Sequence, residues 1–291
     1  MPLKDYLPGA LLVLLAAIGF SLQPVFARAI YADGANALGL VWVRFFIPSL
    51  LLLLFLPGRT RQLRPGPGFL GMLNGVTSLC YFLALQQITV SLTVMLFSLF
   101  PLLVFLLAWL RREESLSLLR LVALAGALLG IYCSLDGNFA GSWAGILFGL
   151  GAALFYATYL IGAPRLMPPG DALGSAAWTL IGAATVFTVP VVLGYAELPQ
   201  SLSGWSMALA LGIISTFIPF LLLIKGIGIL RRQFDVAMFS SIEPIASVFW
   251  AWLLLQETLS GNNILGGLLV LAAALLMIWS QARARPETIE S

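Results

Sequence analysis

The sequence predicts an all-α polytopic membrane protein in which ten transmembrane helices form two inverted five-helix repeats, with both termini cytoplasmic. Three observations lead there: an extreme apolar composition, one unit carried twice, and basic residues that gather in alternate connections. Hydrophobic residues make up 60% of the 291 and charged residues only 9%, against roughly 45–50% and about 25% in soluble domains. The mean hydropathy is +1.02. A chain of this length holds on the order of ten helices of about 20 residues joined by short connections, which leaves no room for a sizeable soluble domain.

The same composition narrows the function. The net charge is +3, but the basic residues sit between apolar spans, where orientation in a membrane accounts for them, and no nucleic-acid partner is expected. Histidine is absent, which removes the commonest general base and the usual axial ligand of a membrane haem. Cys80 and Cys133 lie inside apolar spans without metal-ligand spacing and read as buried thiols. No cofactor and no metal is expected.

The duplication is legible residue by residue. Met95-Leu96-Phe97-Ser98-Leu99-Phe100-Pro101, then Ala108-Trp109 and Glu113-Glu114-Ser115-Leu116, returns 143 positions later as Met238-Phe239-Ser240-Ser241-Ile242-Glu243-Pro244, then Ala251-Trp252 and Gln256-Glu257-Thr258-Leu259. Five identities or near-identities in one ungapped register do not arise from two unrelated apolar runs.

In chain order the spans are predicted at Pro8–Ala29, Ala37–Leu56, Gly68–Gln87, Val90–Leu110, Leu118–Leu135, Trp143–Ala163, Ala172–Tyr195, Gly204–Gly226, Phe234–Leu255 and Asn262–Gln281. The first ends in Ala27-Arg28-Ala29, which has the look of a signal-peptidase site. It is too long for a signal h-region. It also has a counterpart, because Gly9, Phe20 and Gln23 map 136 positions on to Gly145, Tyr156 and Tyr159. Breakers at Pro57-Gly58, Asp136-Gly137-Asn138 and Pro168-Pro169-Gly170 mark connections. The repeats are placed at residues 1–137 and 138–282, and residues 283–291 read as a disordered cytoplasmic tail.

A cytoplasmic N-terminus puts thirteen of the fifteen basic residues on the cytoplasmic side, all but Arg28 and Arg44. The positive-inside rule thus sets the orientation. Five spans per repeat is an odd number, so the second repeat enters the bilayer from the other side. Inverted repeats supply two nearly equivalent packings, which carriers use to alternate access around a midplane site.

These residues resemble the drug/metabolite transporter superfamily and, within it, the ten-helix EamA-type carriers. The resemblance covers nearly the whole chain and rests on Glu243-Pro244 with Ala251-Trp252 and Glu257, on Pro101, Ala108-Trp109 and Glu114, and on Arg44-Phe45. It implies export or exchange of small metabolites, amino acids and their analogues included, across a bacterial inner membrane. It further implies a cavity lined by the first, third, fourth, sixth, eighth and ninth helices.

Candidate site residues follow. On the third helix Asn74, Ser78 and Tyr81 fall on one face at i, i+4 and i+7, and Ser91, Met95 and Ser98 do so on the fourth. Polar stripes in lipid face protein or water, and each of these serines also fits simple interhelical hydrogen bonding. Tyr156 and Tyr159, with Phe20 and Gln23 at the related positions, place rings and an amide where a planar or cationic substrate could be held. Thr216 and Ser241 join them on the eighth and ninth helices. Pro101, Pro219 and Pro244 interrupt helices deep in the bilayer, as hinges or static kinks. The Gly141, Gly145, Gly149 and the Gly126, Gly130 faces are packing surfaces, with a homodimer left open.

Arg44 and Glu243 lie well inside apolar spans and have no charged twin, since Arg44 maps to Leu180 and Glu243 to Phe100. Three roles stay open: a latch between the repeats, a titrating or substrate-binding carboxylate at Glu243, and a kink beside Pro244. The expected function is a secondary carrier exporting small amphipathic metabolites, chiefly amino acids or related compounds, and not an enzyme. Its expected partners are a small-molecule substrate and the lipid bilayer. No Gly-x-x-x-x-Gly-Lys-Ser/Thr loop is present. Uptake or exchange of an organic cation is the alternative within the class, and a membrane-embedded lipid-modifying enzyme is the rival outside it. The latter needs clustered carboxylates, for which the sequence offers only Glu113-Glu114 in a short basic loop.

Overall fold

The computed structural model describes residues 3–55, 58, 64–112, 117–134, 142–167, 172–230, 236 and 239–284. The expected connections at Pro57, Asp136-Gly137-Asn138 and Pro168-Pro169-Gly170, the Glu113-Glu114 pair, Met238, Gly141 and the tail beyond Ala284 lie outside the described residues. Every regular element is helical. In chain order these are α1 (Leu3–Ser21), α2 (Gln23–Ala32), α3 (Ala37–Phe55), α4 (Pro65–Gln87), α5 (Val90–Phe97), α6 (Phe100–Leu110), α7 (Leu118–Ser134), α8 (Trp143–Leu166) and α9 (Ala172–Val192). After them come α10 (Leu202–Gly212), a π-helical turn (Ile213–Phe217), α11 (Ile218–Leu230), α12 (Ile242–Leu255) and α13 (Gly261–Ala284).

Among the described residues eight helical stretches are long and apolar enough to cross a membrane, and α7 and α12 are shorter apolar helices. Most predicted boundaries hold to within a few residues. The sixth stretch continues through Leu166, past Pro164, and the eighth through Leu230, past Gly228. The last helix likewise runs to Ala284, past the expected end at Gln281. Large apolar side chains point outward along the bundle, Leu54, Phe55, Tyr132 and Leu202 among them, as a lipid-facing surface requires.

Four stretches are broken part-way along, each just before a proline. The first breaks at Leu22 ahead of Pro24, the fourth at Ser98–Leu99 ahead of Pro101, and the ninth turns at Ser241 ahead of Pro244. The eighth instead inserts the π turn ahead of Pro219. Proline lacks the N–H that would close the preceding turn and its ring crowds the carbonyl of residue i−4, so the helix restarts or widens there. Ser98 and Ser241 are repeat-related, and the two breaks therefore share one origin.

Helix neighbours repeat as the sequence does. Exchanging the halves pairs α1/α2 with α8, α3 with α9, α4 with α10/α11, α5/α6 with α12 and α7 with α13. Under that exchange the packing of α1 on α11 becomes α8 on α4, α3 on α10 becomes α9 on α4, and α1 on α12 becomes α8 on α6, while α3–α9, α5–α12 and α7–α13 map onto themselves. Glycine twins agree: a side chain at Gly9 would strike Ile229 and Leu230, and one at Gly145 would strike Gln87 and Ile88. The largest core cluster lies among α2, α3, α4, α9 and α10, with Phe45, Leu52, Phe82, Leu180 and Leu211 buried in it.

The α4–α9 approach sets a test. A Cβ at Gly71 would fall 2.1 Å from the Thr179 carbonyl oxygen, whereas one at Gly68 on the same helix meets nothing within 4 Å. Gly71→Ala is expected to destabilise the protein by about 1–3 kcal/mol and Gly68→Ala to leave it unchanged or slightly more stable. Thermal unfolding in detergent checks this; equal midpoints for the two variants would contradict the close approach.

Candidate functional site

At the first and eighth breaks, side chains from neighbouring stretches meet the interrupted helices. Gln23, buried at the start of α2, donates from Nε2 to the Ser215 carbonyl in the π turn at 3.0 Å. Trp250 of α12 donates from Nε1 to Ser21 Oγ at 3.0 Å, next to the first break. Thr216 Oγ1 donates to the Leu211 carbonyl, five residues back, at 3.0 Å, the reach that a π turn demands. Pro219 packs so tightly on Gly19 that a Cβ there would lie 2.4 Å from its ring. The first and eighth stretches are thus locked together at their breaks.

Beside this junction runs a chain of rings. Phe82 and Tyr81 on α4 meet edge to face at 5.5 Å between centroids, and Tyr81 meets Phe97 of α5 at 5.4 Å. Phe97 and Phe100 flank Tyr156 of α8 at 5.2 and 4.9 Å, and Tyr156 stacks on Tyr159 at 5.8 Å. Such contacts favour a fixed ring arrangement by about 0.5–1.5 kcal/mol each beyond area. The Tyr159 hydroxyl meets the Thr179 side chain on α9. Tyr81, Phe97, Phe100, Tyr156 and Tyr159 are half-buried rather than sealed.

Two charges border the ladder. The Arg44 guanidinium lies 5.2 Å from the Phe82 ring centroid and 5.3 Å from that of Phe45, and its Nε is buried without a hydrogen-bond partner. Glu243, in the first turn of α12 and half-buried, is an electrostatic neighbour of Arg44, Tyr81 and Tyr156. Among the described residues no ion pair within 4.0 Å joins Arg44 to Glu243.

The other predicted residues are distributed more widely. Phe20 and Asn74 are half-buried and Ser78 is buried. Met95 turns away from the rings: Ser134 Oγ donates to its sulfur at 3.1 Å and its terminal methyl lies against Gly267. Ser98 donates to its own helix at the Val94 carbonyl, 2.8 Å away. Ser91 serves Glu257, whose carboxylate accepts from its amide at 3.3 Å and its hydroxyl at 3.1 Å. The stripe Ser91, Met95, Ser98 therefore faces α7, α12 and α13, while the opposite face carries Phe97 and Phe100. Sequence periodicity does not single out these two rings or Phe82, because apolar rings next to or near Tyr81 and Pro101 carry no polar signal.

One end of the bundle is stitched between the repeats. Asp33 accepts from the Gln200 amide at 2.7 Å, the Ser201 amide at 3.0 Å and the Ser201 hydroxyl. Asn36 donates to the Tyr195 carbonyl at 3.0 Å and its amide donates to that of Glu197 at 3.1 Å. Glu257 on Ser91 adds a third tie. Arg28, one of the two basic residues outside the positive-inside pattern, donates to the Ile88 carbonyl at 2.8 Å and so caps the end of α4.

The EamA-like transporter family matches residues 7–135 and again residues 143–279. The chain belongs to that family. Each match covers one repeat, and the protein is a multi-span membrane transporter of the EamA family. Among similar proteins, an uncharacterized transporter of Archaeoglobus fulgidus is 26% identical over 92% of this chain and 95% of its own length. The uncharacterized transporter YcbK of Bacillus subtilis is 24% identical over 91% and 90%, and the pseudopaline exporter CntI of Pseudomonas aeruginosa is 24% identical over 92% and 95%. A solved crystal structure shares the fold with a TM-score of 0.61 at 20% identity, covering 95% of this chain and 98% of the other.

The Asp33 clasp makes a prediction about pH. The Ser201 hydroxyl, then the Ser201 and Gln200 amides, hold its carboxyl below the ordinary value of 3.8. A depressed folded-state value adds stability above the unfolded one and loses it as pH falls through the folded one. Wild type should therefore unfold at a higher temperature than Asp33→Asn at pH 7 and pH 5, with the gap closing below about pH 4. A gap that is absent at pH 7, or constant down to pH 3, would contradict the clasp.

Proposed function

We propose that this transporter is a ten-span secondary carrier of a bacterial inner membrane, with both termini cytoplasmic and inverted repeats over residues 1–137 and 138–282, that exports small amphipathic metabolites, chiefly amino acids or related compounds. The observation that carries the proposal is the half-buried aromatic ladder bordered by Arg44 and Glu243. Rings offer an apolar face to the substrate and the two charges fix its polar end, the usual division of labour in a ligand site. The ties at the Asp33 end join one repeat to the other, so rocking of the repeats would have to release them to open that side. Outward transport draws support from the relative named as an exporter.

Exchange of an organic cation is the second reading, favoured by a Glu243 carboxylate without an ion pair beside tyrosine rings, where a cation would find both a counter-charge and π faces. Neither reading needs a metal, a cofactor or a second copy of the chain. A lipid-modifying enzyme is the weaker proposal, because the relatives are named transporters throughout.

Counterflow of labelled amino acids into proteoliposomes tests the export reading: saturable exchange is expected, and product formation without exchange would replace the carrier with an enzyme. In the same assay Tyr159→Ala should insert and elute as wild type but lose apparent affinity by about two- to tenfold, the equivalent of one aromatic contact. Unchanged kinetics in that variant would remove the ladder from the substrate path.

A further inference from the structure

The molecule contains its own control for what Arg44 and Glu243 do. Their repeat-related positions are held by Leu180, which is 2% exposed in the main core, and by Phe100, which packs edge to face on Tyr156. The same architecture thus closes with an apolar side chain at either place, and packing does not call for a charge. A charge at mid-depth is disfavoured by about 2.5–3.5 kcal/mol even on the permissive scale. A close ion pair would relieve this, yet the two groups sense one another without pairing within 4.0 Å among the described residues. Glu243 draws partial compensation from the first turn of α12, where backbone N–H groups point toward it. Arg44 lies inside α3, between its ends, and has no such help. Its guanidinium carbon lies over the Phe82 and Phe45 rings, and among the described residues its buried Nε has no acceptor.

A buried Nε–H without an acceptor leaves the N–H edge of the guanidinium to be answered by a planar, bidentate acceptor, and the acceptor that fits is a carboxylate. A ligand that brought only a carboxylate would satisfy Arg44 and leave Glu243 with a like charge nearby. An amine alone would do the converse. A ligand carrying both groups on a short spacer answers both charges at once and moves as a net-neutral unit.

Resting on the carrier reading above, we infer that the substrate is a zwitterion whose carboxylate is bound by Arg44 and whose ammonium group is bound by Glu243, with the Tyr81–Tyr156–Tyr159 ladder holding its apolar part. Arg44 and Glu243 are then the selectivity residues, each rejecting ligands that lack its partner group.

The experiment is competition in proteoliposome counterflow with ligands matched in shape and differing in charge: phenylalanine, phenethylamine and 3-phenylpropionate, and the smaller set alanine, ethylamine and propionate. In wild type the amino acid of each set that exchanges should compete at least about tenfold better than its amine or its acid, the discrimination a charge-assisted hydrogen bond supplies. Arg44→Gln should move the preference toward the amine and Glu243→Gln toward the acid, with each variant eluting from size exclusion as wild type. Equal competition by all three members of a set, or exchange of an amine or acid while no amino acid exchanges, overturns the inference and leaves the carrier reading standing. Folded variants that lose every ligand equally also overturn it, since that is how a purely structural pair behaves. If either variant fails to fold, the wild-type series alone decides. No exchange of any ligand sinks the carrier reading itself.

Discussion

Backbone polar groups in the hydrocarbon region of a membrane have no water to bond, so every interruption of a helix there must be answered by another part of the protein. Among the described residues four helical stretches are interrupted, each beside a proline. Gln23 supplies the Ser215 carbonyl, Thr216 spans the widened turn, and Trp250 reaches Ser21. Because Gln23 and Trp250 reach across to other stretches, the ties at the breaks also help fix which helices are neighbours.

Symmetry supplies the frame and asymmetry the chemistry. The glycine contacts, the repeated serine breaks and the helix neighbours obey the two-fold relation between the repeats. The residues with chemical content depart from it. Tyr156 and Tyr159 answer to Phe20 and Gln23, Phe100 to Glu243, and Leu180 to Arg44. Gln23 is committed to the backbone junction, whereas its twin Tyr159 stacks in the ladder. One duplicated position has thus come to serve structure in one half and the candidate site in the other.

The apolar spans, the duplication and the proline breaks were legible because each has a local signature: length of an apolar run, identity at a fixed offset, a missing N–H. The π turn was not, since Ile213–Phe217 has the same apolar periodicity as an α-helix and widens in response to Pro219 and its neighbours. Polar periodicity puts Ser91, Met95 and Ser98 on one face of α5, and contacts to Glu257 and Ser134 occupy that face, whereas the aromatic ladder lies on the opposite, apolar face. Sequence spacing tells which residues share a face. It does not tell what that face meets.

If transport requires the repeats to separate at the Asp33 end, a covalent bridge there must stop it. With Cys80 and Cys133 replaced by serine, Asp33→Cys and Ser201→Cys would place two thiols where a carboxylate and a hydroxyl now touch, within reach of a disulfide. Counterflow of whichever amino acid the wild-type protein exchanges is then measured in the oxidised and the reduced protein. The account predicts that exchange stops when the bridge forms and returns when it is reduced. Undiminished exchange through fully bridged protein would contradict it.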